Sequence, residues 1–522
     1  FFLFLLFSCS TTKKLTEDEV LYVGVKKMKI EAPQKVKLNS TQNSAASGPL
    51  SVKPNNPLYS PYVRSPFPIG LWIYNWNIKK EKGFKWWLYR KLAKKPVLIS
   101  DVQPELRLKM VDNAMKDFGF YGTTSRYEII PHKRNPKKAR ISYWVDLPQP
   151  FHYGNVQLWG WNPPMDSIVR SYMRFSELKP GRQYDVNVLN QERQRMSDRL
   201  RNHGYYFFQP DYIEFLVDTT QGGKMADVRI GLKQGIPQNA FHPYKIGEVK
   251  VMLSGNETTG GQDTIQADQV KIIYEPPLRL KPNVITRAVK TRPGQTYSAM
   301  RQSRTQAGFV QLGVFKFANM TITVPDTVQD RLLDMQINGD FALPIETEVE
   351  VDMSSKSNNL LGPGLTLGIT NRNMFRRAEN FSVRLTGSYE WQIGGNKKST
   401  GNSGLINSYE LGLNFNLSVP RLLVPKLMKT KRDRREQTHF QIGTDLLNRH
   451  NFFRMISFWG SATYDFNSST RNYHSVVPFK LNYTYLLRTS HAFDSVVNKN
   501  PAVAQSFKNQ FIPSMSYTYT YD

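Results

Sequence analysis

The chain has 522 residues, which at roughly 100 to 200 residues per domain predicts several domains rather than one. Hydrophobic residues make up 40% and charged residues 21%, and no apolar run approaches the roughly 18 to 20 residues of a membrane-spanning helix, so a helical membrane protein is excluded. Lys plus Arg number 70 against 42 Asp plus Glu, a net charge of +28 that draws the surface to anionic partners such as lipid headgroups, lipopolysaccharide or nucleic acid, while one cysteine excludes a disulfide scaffold or a cysteine-based zinc cage.

The chain opens on Phe1-Phe2-Leu3-Phe4-Leu5-Leu6-Phe7-Ser8-Cys9, which has the character of the tail of a signal peptide whose basic start is missing. Leu6-Phe7-Ser8-Cys9 resembles a bacterial lipobox, in which a small residue precedes the cysteine that is lipidated; Phe7 departs from the usual smaller residues. The resemblance implies a lipid at Cys9, export, and a fold suited to a cell envelope.

Three stretches then repeat one order of events. Tyr22–Ile30, Tyr153–Leu158 and Tyr244–Val251 each alternate in the period-2 manner of a half-buried strand. A helical stretch follows each and ends on Phe118-Gly119-Phe120, His203-Gly204-Tyr205 or Leu312-Gly313-Val314, where Gly suits a left-handed helix terminus and the next residue packs back. The second and third copies share a lead-in turn, Lys179-Pro180-Gly181-Arg182-Gln183-Tyr184 and Arg292-Pro293-Gly294-Gln295-Thr296-Tyr297. Paired strands close each copy: Arg126–Ile130 with Ala139–Leu147, Tyr212–Val217 with Ala226–Leu232, and Met320–Val324 with Leu332–Ile337.

This β-α-α-β-β unit resembles the POTRA domain, a periplasmic module placed in tandem before an outer-membrane barrel. Its signature falls on Gly119 and Phe120, Gly204 and Tyr205, and Gly313 and Val314. The resemblance implies α+β modules that hold unfolded chains or partner subunits by adding a strand to an exposed edge.

The first copy carries an insert. Residues 31–70, rich in Pro, Asn and Ser, read as a loop, and Leu71 to Leu92 interleaves Trp and Tyr with Lys and Arg. Such a stretch can bind a membrane interface, can stack on single-stranded nucleic acid, which export disfavours, or can form a connecting helix with a solvated basic face. With the adjoining Lys94-Lys95-Pro96-Val97-Leu98 it resembles the lipoprotein branch of TamA-like proteins of Bacteroidetes-type envelopes.

From about residue 341 the texture changes to long alternating segments: near 345–353, 364–372, 380–391, 408–419, 438–447, 454–466, 475–487 and 510–521. Segments of about 9 to 11 residues, one face apolar and one polar, fit a transmembrane β-barrel. Arg372 to Arg377 reads as a short turn, Gly394 to Gly401 and Thr489 to Lys508 as longer loops, and the basic run from Lys426 to Arg435 as a periplasmic turn. Gly362-Pro363-Gly364-Leu365, Asn371-Arg372-Asn373-Met374-Phe375, Gly387-Ser388-Tyr389-Glu390 and Val419-Pro420-Arg421 resemble the early barrel strands of the BamA/TamA outer-membrane assembly family. That resemblance implies sixteen strands, of which residues up to Asp522 supply the first half. Eight strands closing as a small barrel is the alternative.

No His-Glu-x-x-His, nucleophile elbow or P-loop is present, so neither an enzyme nor a metal or other cofactor is expected. The expected organisation is a truncated signal peptide and lipoprotein tether at 1–20, POTRA-like modules at 21–150, 151–240 and 241–340, and the N-terminal half of an outer-membrane β-barrel at 341–522. The resemblance implies an outer-membrane protein whose periplasmic modules receive unfolded outer-membrane proteins and whose first barrel strand, with Ile345, Thr347, Val349, Val351 and Met353 alternating along it, serves as a lateral gate. Outer-membrane lipids and a periplasmic partner protein, but no nucleic acid, are the other expected partners. A barrel supporting phospholipid transport with a periplasm-spanning partner is the alternative function.

Overall fold

The computed structural model describes residues 11–34, 36–55, 57–60, 63–64, 67–78, 81–220, 222–255, 261–325, 331–356, 360–392, 407–424, 436–450, 452–469, 471–500, 505 and 507–522. Cys9, the loop from Gly394 to Gly401 and the basic run from Lys426 to Arg435 lie outside the described residues. Two compact units are present: one runs to residue 200 and includes 208–237, the other joins 201–207 to 238–522.

The first unit holds two modules. The first comprises β1 (Leu21–Glu31), α1 (Ser40–Ser47), a short ribbon of β2 (Pro57–Ser60) and β3 (Val63–Arg64), α2 (Ile69–Tyr74), α3 (Phe84–Leu92), α4 (Ile99–Val102), α5 (Pro104–Lys116), β4 (Thr124–His132) and β5 (Asn135–Asp146). β5 is central, parallel to β1 and antiparallel to β4. Pro104 starts α5 where its missing N–H is harmless, and Leu108, Val111 and Met115 put one stripe of the helix into the core against Ile141, Tyr143 and Val145. Each such burial contributes about 1.5–3 kcal/mol. The second module repeats the plan with β6 (His152–Leu158), α6 (Pro163–Met173), α7 (Val186–Asn202), β7 (Ile213–Asp218) and β8 (Met225–Leu232), in the order β6-β8-β7.

The second unit opens with the third module: β9 (Lys245–Ser254), β10 (Asp263–Ala267), β11 (Val270–Tyr274), α8 (Pro282–Ala288), α9 (Ala299–Gln311), β12 (Phe315–Thr323) and β13 (Leu332–Phe341). The sequence suggests three strands here; the structure has five, ordered β10-β11-β9-β13-β12. β11 runs parallel to β9 and covers the edge that β1 and β6 leave exposed in their own sheets. Val270, Ile272 and Tyr274 are buried in the module's core, and the Tyr274 hydroxyl donates to Asp263 at 2.8 Å, tying the hairpin closed. Five-residue strands are too short to announce themselves by alternation.

β14 (Ile345–Ser355), β15 (Leu360–Asn371), β16 (Asn380–Gln392), β17 (Asn407–Val419), β18 (Glu436–Arg449), β19 (Phe453–Asn467), β20 (Asn472–Thr489) and β21 (Gln510–Tyr521) form one antiparallel meander in sequence order. Among the described residues β14 and β21 are its two edges, so the sheet is open and the small closed barrel is not formed. Its register carries one row across all eight strands that is apolar on every strand but β18: Val349, Leu367, Leu385, Leu413, Thr444, Phe458, Tyr483 and Phe511. On the opposite face Glu350, Thr366, Thr386, Gly412, Asp445, Ser457, Thr484 and Gln510 form a polar row. Strands of 11 to 18 residues with one such face are the elements of a transmembrane barrel wall. No helix among the described residues is long and apolar enough to cross a membrane.

Two loop readings need correction. Within 31–70, α1 is capped by Asn39, whose side chain accepts from the Gln42 N–H at 2.8 Å while Gln42 returns the bond. That Asn-x-x-Gln capping box was the available signal; the helix buries little beyond Gln42 and Ala46, so hydrophobic periodicity does not reveal it. Within Thr489–Lys508, α10 (His491–Lys499) starts at Ser490 and buries Phe493 against Phe453 and Phe507.

Candidate functional site

The helix-ending glycines lie where each repeat joins its neighbour along the chain. Gly119 has φ +84°, its N–H donates to Lys116 O at 2.9 Å and the Phe120 N–H reaches back to Met115 O at 3.1 Å, a left-handed helix stop that buries Phe120 completely. The Gly119 carbonyl then accepts the Phe151 N–H at 2.9 Å, and the Gln183 side chain donates to Phe118 O at 2.8 Å. A Cβ on Gly119 would press on the Phe151 backbone at 3.1 Å, so the first two modules meet on a surface that only glycine leaves open.

Gly204, with φ +104°, uses its carbonyl in the same way, accepting the Tyr244 N–H at 2.9 Å. Within the second unit, segment 201–207 caps the third module. Tyr205 is buried, Tyr206 packs edge-on against Tyr297 with centroids 5.0 Å apart, and Phe207 meets Tyr244 at 5.3 Å.

Gly313, φ +67°, repeats the pattern with a different donor: Arg372 Nη1 lies 3.4 Å from its carbonyl, and Val314 is buried beside it.

The lead-in turns bond identically. Tyr153 N–H donates to Arg182 O at 2.8 Å and Gly181 N–H to Tyr153 O at 2.8 Å; Ile246 N–H donates to Gln295 O at 2.8 Å and Gly294 N–H to Ile246 O at 2.8 Å. Each Pro-Gly turn thus occupies the start of the opening strand's outer edge. The first module has a counterpart that lacks Gly and escapes recognition in the sequence: Tyr22 N–H donates to Val97 O at 2.8 Å and Ile99 N–H to Val20 O at 2.9 Å. The Lys95-Pro96-Val97-Leu98 stretch is this module's lead-in.

The aromatic signatures are core groups. Tyr153 is fully buried, its hydroxyl donating to Asp185 O at 2.8 Å and accepting the Asp185 N–H at 3.1 Å near the start of α7. Burial pushes the Tyr153 phenol up to about 12, and burial does the same to Tyr143.

The strongest contact set joins the third module to the barrel sheet. β13 ends at Phe341 and β14 begins at Ile345, so three residues connect a module strand to the first barrel strand. The turn between β15 and β16 docks on the loop before α8: Asn373 donates to Arg279 O at 2.8 Å, Arg376 to Leu278 O at 2.6 Å, and the Lys281 N–H to Arg376 O at 2.9 Å. Arg376 and Ala378 hold φ of +63° and +62°, a left-handed region that costs a residue with a Cβ on the order of 1 kcal/mol. Ala378 is 3% exposed and belongs to the module's core cluster, which offsets that cost. Glu379, also buried, accepts the Arg377 N–H at 2.9 Å and keeps the turn folded. Arg372 bridges the two parts by contacting Gly313 O and pairing with Glu346 on β14.

On β14, Ile345, Val349, Val351 and Met353 are exposed on one face, with Thr347 among them in the alternation, and Glu346, Glu348, Glu350 and Asp352 alternate on the other. Arg384 donates to Glu348 at 2.8 Å. Among the described residues no cluster of three or more His, Cys, Asp or Glu side chains could hold a metal.

Residues 152–235 match the family model described as POTRA, surface antigen variable number repeat. No curated protein matches the chain. Among solved structures, BamA POTRA3-5 from Haemophilus influenzae aligns at 9% identity over 63% of this chain and 99% of that one, with a TM-score of 0.29. BamA from Haemophilus ducreyi lacking POTRA domains 1–3 aligns at 10% identity over 64% and 66%, TM-score 0.31, and CdiB from Acinetobacter baumannii at 12% over 75% and 71%, TM-score 0.24. The second module is thus a POTRA domain by its family match, the other two modules repeat its strand order, and a long-stranded antiparallel meander follows them.

Proposed function

We propose that this protein assembles or translocates outer-membrane proteins, receiving unfolded chains on its modules and passing them to the edge of β14. The observation that carries this reading is the three-residue connection from β13 to β14, braced by the docked Arg372–Arg377 turn. A strand captured at the outer edge of the module sheet on β12 lies one strand from β13, which leads into the barrel wall, and an open strand edge has backbone groups ready to pair. The acidic face of β14 suits a water-filled lumen and its apolar face suits lipid. The action involves no covalent step: the free energy comes from pairing an incoming strand and burying its apolar face.

The test uses the full-length protein. A disulfide that fixes β14 to the closing strand of the complete barrel abolishes insertion of a client barrel into vesicles, and reduction restores it. Unchanged insertion with the bond closed contradicts the gate. Normal client insertion in depleted cells, with early phospholipid imbalance, assigns the barrel to lipid transport instead.

A further inference from the structure

The insert of the first module is a surface that strand capture and insertion leave without a role. Between residues 67 and 100 there are eight Lys or Arg and one acidic residue, Glu81, and four of the chain's nine tryptophans lie between Trp72 and Trp87. α2 packs against α3 through Tyr74 and Tyr89, stacked at 6.5 Å, with Trp86 stacked on Tyr89 at 6.0 Å. This inner side fixes the hairpin. The other side of α3 has no cover among the described residues: Phe84 is 74% exposed, Trp87 55% and Leu92 46%, and Phe84 and Trp87 stack at 5.9 Å as one apolar ridge. Lys85, Arg90 and Lys91 are exposed on the same helix and Lys94 and Lys95 just beyond it.

A second observation ties the N-terminal segment to this hairpin. Lys14 is fixed to the hairpin: its backbone N–H donates to Asn75 Oδ1 at 3.0 Å, its ammonium donates to Tyr74 O at 2.6 Å and sits over the Tyr74 and Tyr89 rings at 5.2 and 5.5 Å. Leu15 is buried nearby with Leu21, Val23 and Leu71. The lipobox cysteine precedes Lys14 by five residues, a reach of at most about 18 Å. That reach keeps the lipidation motif within about 18 Å of the hairpin that carries the exposed aromatic and basic face.

We propose that α3 and its flanks are a membrane-interface foot that seats the first module on an anionic bilayer surface beside the Cys9 lipid. Beside a lipid anchor, a basic and aromatic patch adds attraction to anionic headgroups and fixes how the module rests on the surface. Aromatic rings at the ridge sit at headgroup depth while the cations meet anionic lipid. The foot does not depend on the insertion reading, and its test needs no insertion activity.

The experiment uses the full chain with Cys9→Ser, so that lipid cannot hold it, and Leu92→Cys carrying an environment-sensitive fluorophore. The protein is reconstituted into phosphatidylethanolamine vesicles with or without phosphatidylglycerol, containing headgroup spin-labelled lipid as quencher. Expected is quenching at position 92 with the anionic lipid only, and none for a control label at Tyr127→Cys on β4. Lys85→Glu with Arg90→Glu and Lys91→Glu weakens the association by on the order of a hundredfold, about fivefold per cation before counting repulsion. Phe84→Ser with Trp87→Ser also releases it; all these positions are exposed, and circular dichroism checks that the fold is kept. A probe that stays aqueous on anionic vesicles, quenching unchanged by the charge reversals, or protection that appears only on adding soluble envelope proteins overturns the proposal.

Discussion

Arg384 reaches Glu348 at 2.8 Å by passing over Gly368, the residue paired with both in the register of β14, β15 and β16. A Cβ at Gly368 would lie 3.1 Å from the Glu348 carboxylate, so glycine on the middle strand is what lets two long polar side chains meet across it. The first barrel strand is thereby held from its polar face by side chains as well as by its ladder.

Gly368→Val is expected to loosen β14 more than Arg384→Ala does. The exposed ion pair contributes at most about 1 kcal/mol, whereas the added side chain displaces both partners at once. Temperature-dependent mobility of the full-length barrel on gels, or amide exchange along Ile345–Ser355, measures the difference.

The signature glycines are not equivalent. Gly204→Ala places a Cβ 2.9 Å from Pro243 and Thr296 at φ +104°, with an expected cost of about 2–3 kcal/mol; Gly313→Ala, at φ +67° with open space, costs about 1 kcal/mol. Urea unfolding of the two variants gives the order.

The hairpin added to the third module carries part of its core. Ile272 is fully buried, so Ile272→Ala costs about 2–5 kcal/mol and exposes the β9 edge. Faster exchange of the Lys250–Leu253 amides accompanies it. Loss of stability without faster exchange there would mean that the hairpin does not guard β9.

Alkaline pH attacks the first unit through its buried phenols. The folded-state values of Tyr143 and Tyr153 are raised to about 12, above the ordinary value of 10.0, so the neutral phenols favour the fold fully below pH 10 and this contribution is lost as pH rises towards 12. Absorbance titration is expected to show these two tyrosines ionising together with loss of near-ultraviolet circular dichroism. Tyr143→Phe, whose hydroxyl has no hydrogen-bond partner among the described residues, moves the transition to higher pH.

Much of this architecture is legible in the amino acids. The eight barrel strands are apparent because each is long and strictly alternating, as in Leu411, Leu413, Phe415 and Leu417, and a helix cannot keep that period. The glycines at 119, 204 and 313 are apparent because a left-handed helix stop restricts the residue type. What is hidden depends on partners far along the chain. The docking of Arg372–Arg377 on Leu278–Lys281 is made largely through backbone carbonyls, which no residue type announces. The lead-in at Val97 is hidden because hydrogen bonds, not Pro-Gly, define it.

The coupling of the third module to β14 is tested most directly by photocrosslinking in the full-length protein. A photoreactive residue is placed in turn at Thr347, Glu348, Val349, Glu350 and Val351, with an arrested client barrel strand present, in the wild-type background and with Arg372→Ala. Client crosslinks are expected along β14 that alternate with the strand's period of two and fall several-fold when Arg372 no longer contacts Gly313 and Glu346. Efficient client insertion with no crosslink at any β14 position would contradict the coupling.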